Sequence, residues 1–146
     1  MLWYGSNVLR KVEATMSQKV ERACIFLQGE VEKKLTGARS GKQYKRGGKT
    51  HTASAPGEPP TVDYGRLRGS ITYATDMGQN SAVRSPALDE DGINKVGKLK
   101  HRQRGIVGTN VKYGLMLETG TVNMQPRPWL KNTYLENKGR IKDILA

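Results

Sequence analysis

Few groups in this chain could carry out catalysis or bind metal, and their spacing does not match known sites of that kind. Gly48-Lys49-Thr50 invites comparison with a phosphate-binding loop, but that loop needs a glycine five positions before Gly48, where Gln43 stands. His51 and His101 are the only histidines, and the single cysteine, Cys24, is distant from both in sequence. The spacing of these groups therefore does not indicate a zinc site.

Hydroxyl and carboxylate groups give no stronger indication of chemistry. Ser54, Ser70 and Thr121 have no neighbouring base that the sequence would identify as the activator of a nucleophile. The acidic run 89–91 could bind a cation weakly, although a solvated turn is the more frequent role of such a run. We therefore predict that the protein is not an enzyme and that it uses no cofactor and no metal.

The positive charge of the chain indicates an acidic or polyanionic partner. Its 25 Lys and Arg side chains face 13 Asp and Glu side chains, which gives a net charge of +12. Residues 37–70 carry seven basic and two acidic side chains, and residues 95–112 carry six basic and none acidic. Such clusters favour nucleic acid or an acidic assembly as partner, although they can also serve solubility alone. The candidate basic contacts are Lys45, Arg46, Lys49, Lys98, Lys100, Arg102 and Arg104.

The elements that must position these groups are predicted to form a single α+β domain over residues 1–146. A long N-terminal helix and a C-terminal helix would pack on one face of a small antiparallel β-sheet, with long basic loops. Apolar residues recur at steps of three and four over 6–36, which predicts the first helix. Glycines and prolines over 37–62 predict an extended loop without regular structure.

The next part of the chain predicts a β-hairpin region over residues 70–109. The β-branched stretches 70–75 and 105–109 are typical of strands, and 81–85 is a shorter strand candidate. A polar, basic excursion at 87–104 precedes the last of these stretches. Residues 76–80 are expected to connect 70–75 to 81–85 as a hairpin, and over 81–109 we predict a hairpin whose return strand follows a long basic excursion.

The last part of the chain, residues 113–145, predicts a short helix that Gly120 ends, then a turn and a terminal helix interrupted at Gly139. No stretch approaches the roughly 20 apolar residues that a membrane span needs, and the N-terminus lacks the pattern of a signal peptide. We therefore expect no membrane partner and assembly in a cytoplasm.

Two motifs rich in proline and glycine carry the strongest functional signal. The first covers residues 54–71, and the second covers 113–121 and continues with Met124 and residues 127–130. Both are rich in residues that fix backbone shape, which favours a structural part over a catalyst. The candidate structural or subunit-interface residues are Gly65, Arg66, Leu67, Ser70, Tyr113, Glu118, Gly120, Thr121, Arg127, Pro128 and Trp129.

Some of these residues have a more specific expected role. Glu118 and Arg127 are expected to fix the second motif or to bridge subunits, and an intrachain pair between them is the alternative. Trp129 is expected to anchor the last helix. The turn into the first strand is expected to depend on Gly65, Arg66, Leu67 and Ser70.

Taken in order, the motifs resemble those of the small head–tail joining, or tail-component, proteins of long-tailed bacteriophages. The resemblance extends from about Lys42 to Leu130. Tyr64 stands where that family more often has threonine, and the excursion at 87–104 is longer than usual. The resembling pieces are the runs 55–60, 63–71, 113–114, 118–121 and 127–130, together with Met124.

The resemblance implies a non-enzymatic virion protein of the phage neck or tail completion complex. The expected assembly is a homohexameric ring between a head-closure or adaptor protein and the tail tube or its terminator, formed in the host cytoplasm. One alternative, in the same class, is a tail terminator ring that caps the tail tube. Another, from a different class, is a basic DNA-binding module without sequence specificity. A ring in the neck could also contact packaged DNA.

Overall fold

A computed structural model describes residues 5–63, 65–77, 103–109 and 111–146, and it confirms the α+β class. The strand candidate at 81–85 and most of the basic excursion lie outside the described residues. The elements in chain order are α1 (Gly5–Thr36), β1 (Gln43–Arg46), β2 (Lys49–Thr52), α2 (Arg66–Gly69), β3 (Thr72–Thr75), β4 (Gly105–Gly108), α3 (Lys112–Thr119) and α4 (Lys131–Leu145).

The long N-terminal helix is confirmed, but only part of its apolar stripe is covered. Val31 and Leu35, near the end of α1, are buried. Val8, Leu9 and Val12, near its start, are each more than half exposed. The covered part of α1 packs against α4, α2 and the sheet formed by β3 and β4. The same helical periodicity therefore supplies core in one half of α1 and exposed apolar surface in the other.

The β3–β4 sheet pairs the strand that follows the first motif with the strand that follows the basic excursion, whereas the hairpin predicted over 81–109 begins outside the described residues. The two strands pair antiparallel, with Thr72 opposite Gly108 and Thr75 opposite Gly105. Ser17 Oγ donates a hydrogen bond to Asp76 Oδ2 at 2.7 Å, and the backbone N–H of Gln103 donates to the same oxygen at 3.3 Å. The residues that follow β3 and precede β4 are therefore held side by side against α1.

A second two-stranded sheet corrects the prediction of an irregular loop over 37–62. β1 pairs antiparallel with β2, so the described strands form two small sheets instead of one. Gly47 and Gly48 connect the strands with φ angles of 55° and 77°. A two-residue hairpin turn with both φ angles positive matches the twist of the strands it joins. Gly47 and Gly48 therefore form the turn of a hairpin in a segment whose many glycines predicted irregular chain.

The core is small and draws on both sequence motifs. Its central cluster consists of Val31, Leu35, Leu67, Ile71 and Trp129. Leu67 and Ile71 come from the first motif and Trp129 from the second, while α1 supplies the other two. These side chains therefore fix the position of both motifs relative to α1. The partly buried residues packed against them are Leu27, Val107, Leu117 and Leu130.

The terminal helix is confirmed, and it continues through Gly139 without the predicted interruption. It lies along α1 and is joined to it at two levels. Lys34 Nζ lies 2.8 Å from Glu136 Oε2, and Lys19 Nζ donates to the backbone oxygen of Ala146 at 2.6 Å. Packing against α1 therefore outweighs the cost of about 1 kcal/mol that a glycine brings to a helix interior.

Candidate functional site

The two motifs meet in space and form a clasp, by which we mean the contacts between residues 54–71 and residues 113–130. The backbone N–H of Gly57 donates to the oxygen of Pro126 at 3.0 Å. Arg127 Nη1 donates to Ser54 Oγ at 2.7 Å, and Ser54 is buried. The clasp therefore combines a backbone contact with a charge-assisted side-chain contact, in addition to the shared apolar core.

The first motif forms the turn before β3, as expected. Gly65 has a φ of 73° and precedes the single turn of α2, in which Leu67 is buried. Ser70 is fully buried, and its Oγ donates to Leu67 O at 2.7 Å. Ser70 Oγ also lies 2.5 Å from Thr109 Oγ1, at the end of β4. Ser70 therefore has a structural role that links the turn to the β3–β4 sheet.

Arg66 and Tyr113 lie on opposite motifs and line one cavity. The cavity has a volume of about 410 Å³, and Asp63 and Leu35 also line it. Burial raises the pKa of Tyr113, while the Arg66 charge and a hydrogen bond from the Leu67 backbone act to lower it. Tyr113 is therefore a neutral phenol at ordinary pH, and its role here is contact and hydrogen bonding.

Glu118 holds the start of α4. Its Oε2 accepts hydrogen bonds from the backbone N–H groups of Trp129 at 2.8 Å and Leu130 at 3.0 Å, and its Oε1 accepts from Lys131 at 2.8 Å. The first turn of α4 has no acidic residue, and Leu130 provides no side-chain cap. A carboxylate at a helix N-terminus satisfies free N–H groups and complements the helix dipole. Glu118 is therefore the cap that α4 lacks locally.

The alternative in which Glu118 pairs with Arg127 does not occur. Glu118 accepts from the start of α4, whereas the Arg127 guanidinium donates to Ser54. The backbone N–H of Arg127 also donates to Leu117 O at 2.7 Å. Both residues fix the second motif, and each does so through its own partner.

The turn between α3 and Arg127 depends on Gly120. Gly120 has φ 79° and ψ 177°, and a Cβ there would lie 2.8 Å from Met124 O. Thr121 and Met124 exchange backbone hydrogen bonds of 2.8 and 3.2 Å across the same turn. Pro128 then leads, half-buried, into α4. The turn thus has a shape that only glycine permits at its first position.

Trp129 anchors the last helix to α3, as expected. Its side chain is 2% exposed, and its Nε1 donates to Gly114 O at 3.1 Å. Its own backbone oxygen accepts from Thr133 Oγ1 at 2.6 Å, in the first turn of α4. A buried indole whose N–H has a partner contributes apolar burial without an unsatisfied donor. Trp129 therefore joins core packing to helix position.

Sequence reasoning missed the role of Glu58. Its carboxylate accepts from Ser40 Oγ at 2.5 Å, from the backbone N–H of Ala55 at 2.8 Å and from the backbone N–H of Ser40 at 3.1 Å. The pKa of Glu58 is lowered to about 2, mainly by the Ser40 hydroxyl and further by these two N–H groups and the Arg39 charge. The three-residue spacing between Ala55 and Glu58 is the only local signal of this role. Ser40 comes close to Glu58 only through the tertiary fold.

Three of the candidate basic contacts lie together on the hairpin of residues 43–52, which we call the ribbon. Lys45 and Arg46 are on β1, and Lys49 is on β2; all three are exposed. Arg104 is also exposed, directly before β4. The other three lie outside the described residues: Lys98, Lys100 and Arg102.

In the described residues, the candidate metal ligands are dispersed and the single cysteine is buried. Within this part of the chain, no three His, Cys, Asp or Glu side chains come close enough to hold a metal ion. Cys24 is buried, and burial, aided by the nearby Glu21 charge, raises the pKa of its thiol to about 11. In the same part of the chain, no helix is both long enough and apolar enough to cross a bilayer. The groups brought together by the clasp hold backbone and core in place.

Comparisons of the chain with models of protein families, with curated proteins and with solved structures found no match.

Proposed function

We propose that the protein is a structural virion component of the phage neck or tail completion complex, and that it forms a homohexameric ring joining the DNA-filled head to the tail. The observation that carries the proposal is the clasp. Glu118, Arg127 and Trp129, which belong to the resemblance with head–tail joining proteins, position backbone and core. Such an arrangement suits a subunit whose function depends on shape.

The apolar surface that the fold leaves uncovered supports assembly. At the start of α1, Val8 is 57% and Leu9 60% exposed, and on α3 Leu115 is 69% exposed. Val122, in the turn after α3, is fully exposed. Single exposed apolar residues are common, but several close together in sequence on two elements favour contact with other subunits. A ring forms when such contacts join different surfaces and the rotation between copies closes.

A groove between α1, β4 and α4 adds a third apolar surface. It has a volume of about 650 Å³ and is lined mainly by apolar side chains, among them Leu27, Val107 and Ile141. The core beside it is small, so α1, β4 and α4 leave a space that their own side chains do not fill. A concave surface of this kind could receive a convex apolar element of the next subunit.

The mass of the purified full-length protein in solution tests the ring. We expect a species of six times the chain mass of 16.2 kDa, either alone or after mixing with the head-closure or tail-tube partner. A strict monomer under both conditions would overturn the proposal. A closed ring of another number would keep the proposed class and correct the stoichiometry.

The level of the ring is tested by electron microscopy of a phage that lacks the gene. A neck protein is expected to leave filled heads separate from tails of normal length. Overlong tails would instead identify the terminator that stops tube growth. Normal virions would overturn both assignments.

A further inference from the structure

The ribbon projects three basic side chains, of which the fold neutralises only Arg46. Residues 42–50 are all exposed, from Lys42 across the turn to Thr50. Arg46 lies directly opposite Lys49 in the strand register. Like charges directly opposite each other destabilise a strand pair. The Asp63 carboxylate lies beside Arg46 and offsets part of this repulsion, and a further anion beside Lys49 would offset more.

The basic residues in this part of the chain differ in how they are engaged. The Arg39 guanidinium donates to the backbone oxygens of Lys34 at 2.6 Å and Pro60 at 3.2 Å, so it supports the fold. Arg46 Nη1 lies 2.5 Å from Asp63 Oδ2. Within the described residues, no side-chain contact engages Lys45 or Lys49. On the ribbon itself, these two lysines are therefore available to an outside partner.

The shape of the ribbon selects among anionic partners. A Gly-Gly turn with positive φ at both residues makes its tip narrow, and nothing lies within 4 Å of a Cβ placed at Gly47 or Gly48. A two-stranded β-ribbon is one of the elements that the major groove of B-DNA admits. Lysines on opposite faces of such an element can reach the phosphates that border the groove. Lysine contacts to phosphate position a protein without reading sequence.

One face of the Tyr44 ring is covered by a neighbouring ring, which makes Tyr44 a poorer platform for the bases of a single strand. Tyr44 stacks on His51 across the two strands, with ring centroids 5.8 Å apart. Proteins that bind single strands without sequence preference combine a basic groove with aromatic rings on which bases stack. The ribbon offers charge together with a single aromatic pair, which favours contact with a duplex backbone over stacking of unpaired bases.

We propose that the ribbon is a contact arm for the phosphate backbone of duplex DNA, and that Lys45 and Lys49 neutralise the phosphates. The inference extends the proposed function, in which DNA passes from head to tail, but it rests on the ribbon alone. A solution monomer with ribbon-dependent DNA binding would overturn the ring and keep the arm. A ring without ribbon-dependent DNA binding would keep the ring and overturn the arm.

The test measures binding of a fluorescent DNA duplex to the full-length protein as salt is varied. Each lost phosphate contact is expected to change the slope of log affinity against log salt by about 0.9. The variant Lys45→Gln/Lys49→Gln should therefore lower the magnitude of the slope by about 2, and should weaken binding at least tenfold at low salt. Lys45→Arg/Lys49→Arg, which keeps both charges, should bind as the natural protein does.

A matched control removes the same charge elsewhere. Lys138 and Arg140 are exposed on α4, and Lys138→Gln/Arg140→Gln should leave the salt slope unchanged. Equal losses of duplex affinity and of salt slope in the two double variants would mean that binding depends only on net charge, and would overturn the proposed contact arm. Absence of salt-dependent duplex binding by the natural protein would also overturn it. Binding of polyglutamate with the same affinity as the duplex, and with the same dependence on Lys45 and Lys49, would also overturn the arm, because the partner would then be an acidic protein.

Discussion

Glu118 Oε2 accepts a hydrogen bond of 2.8 Å from the backbone N–H of Trp129, and this contact joins the end of α3 to the chain that begins α4. The same carboxylate also satisfies the next two N–H groups. One side chain thus caps a helix of another segment, and the position of α4 on α1 depends on it.

Replacing Glu118 should reduce stability through this cap. Glu118→Ala leaves three N–H groups without their acceptor, so we expect a loss of about 2 kcal/mol in the free energy of unfolding by urea. Glu118→Gln keeps one acceptor oxygen and should lose less. As a control, Glu136→Gln removes an exposed ion pair with Lys34 and should cost less than about 1 kcal/mol. Equal stability of Glu118→Ala and the natural protein would contradict the cap.

Glu58 should make stability depend on acid pH. Its pKa is lowered from 4.5 to about 2 in the folded state, chiefly by the Ser40 hydroxyl and the backbone N–H of Ala55. A lowered folded pKa contributes stability that is present above pH 4.5 and is lost as pH falls toward 2. Urea unfolding of the natural protein and of Glu58→Gln should therefore differ at neutral pH and converge across this window. A constant difference at all pH values would contradict the role of the ionised carboxylate.

Gly120 and Gly139 should respond to alanine with opposite signs. At Gly120, positive φ and a clash with Met124 O lead us to expect Gly120→Ala to destabilise by about 2 kcal/mol. Gly139 lies inside α4 with nothing within 4 Å of the added Cβ. Gly139→Ala should stabilise by about 0.5 to 1 kcal/mol because alanine favours a helix. Thermal unfolding of the two variants measures the contrast, and a shared sign would refute it.

Cys24 should be protected from alkylation while the protein is folded. Burial raises the pKa of its thiol from 9.0 to about 11, so little thiolate forms near pH 8. Iodoacetamide labelling should accelerate as urea unfolds the protein, and the midpoints of labelling and unfolding should agree. Labelling of the native protein at the rate of a free cysteine would show that the thiol is accessible.

Val12 should affect assembly without affecting the fold of the subunit. It is 54% exposed at the start of α1, so Val12→Glu removes no core contact. If this face meets another subunit, a charge there should lower the fraction of the oligomer measured by sedimentation. Gln18→Glu adds the same charge at another exposed position of α1 and serves as the control. Unchanged sedimentation of Val12→Glu would exclude this face from the subunit contact.

The elements with a strong local signal were predicted from the sequence. The helix predicted from the periodic spacing of Val8 through Leu35 is confirmed as α1. The short helix that contains Tyr113 ends before Gly120, as expected. The ribbon differs from the prediction because the number of glycines and prolines over 37–62 indicates irregular chain, whereas the position of two of them indicates a turn. The pair Gly47-Gly48 between two short polar strands is a local hairpin signal, so the ribbon is predictable from its own residues.

The contacts of the clasp could not be predicted, because they join residues far apart in sequence. That Glu118 and Arg127 make fixed polar contacts was expected, but their partners were not. Ser54 and the N–H groups before α4 become the partners only once α1 and Trp129 have set the distances. Glu58 is similar, since its hydrogen bonds with Ser40 depend on a chain reversal that includes the ribbon.

The contact of Asp76 with Ser17 and Gln103 has a consequence for the evolution of chain length. These hydrogen bonds fix where the chain leaves β3 and where it returns to β4. For a flexible connection between two fixed ends, the entropic cost of closure grows only with the logarithm of its length, by about 0.6 kcal/mol for each doubling. By this scaling, a longer flexible connection between ends fixed in this way costs the described fold little stability. Selection on a partner can act on that length almost independently of selection on folding.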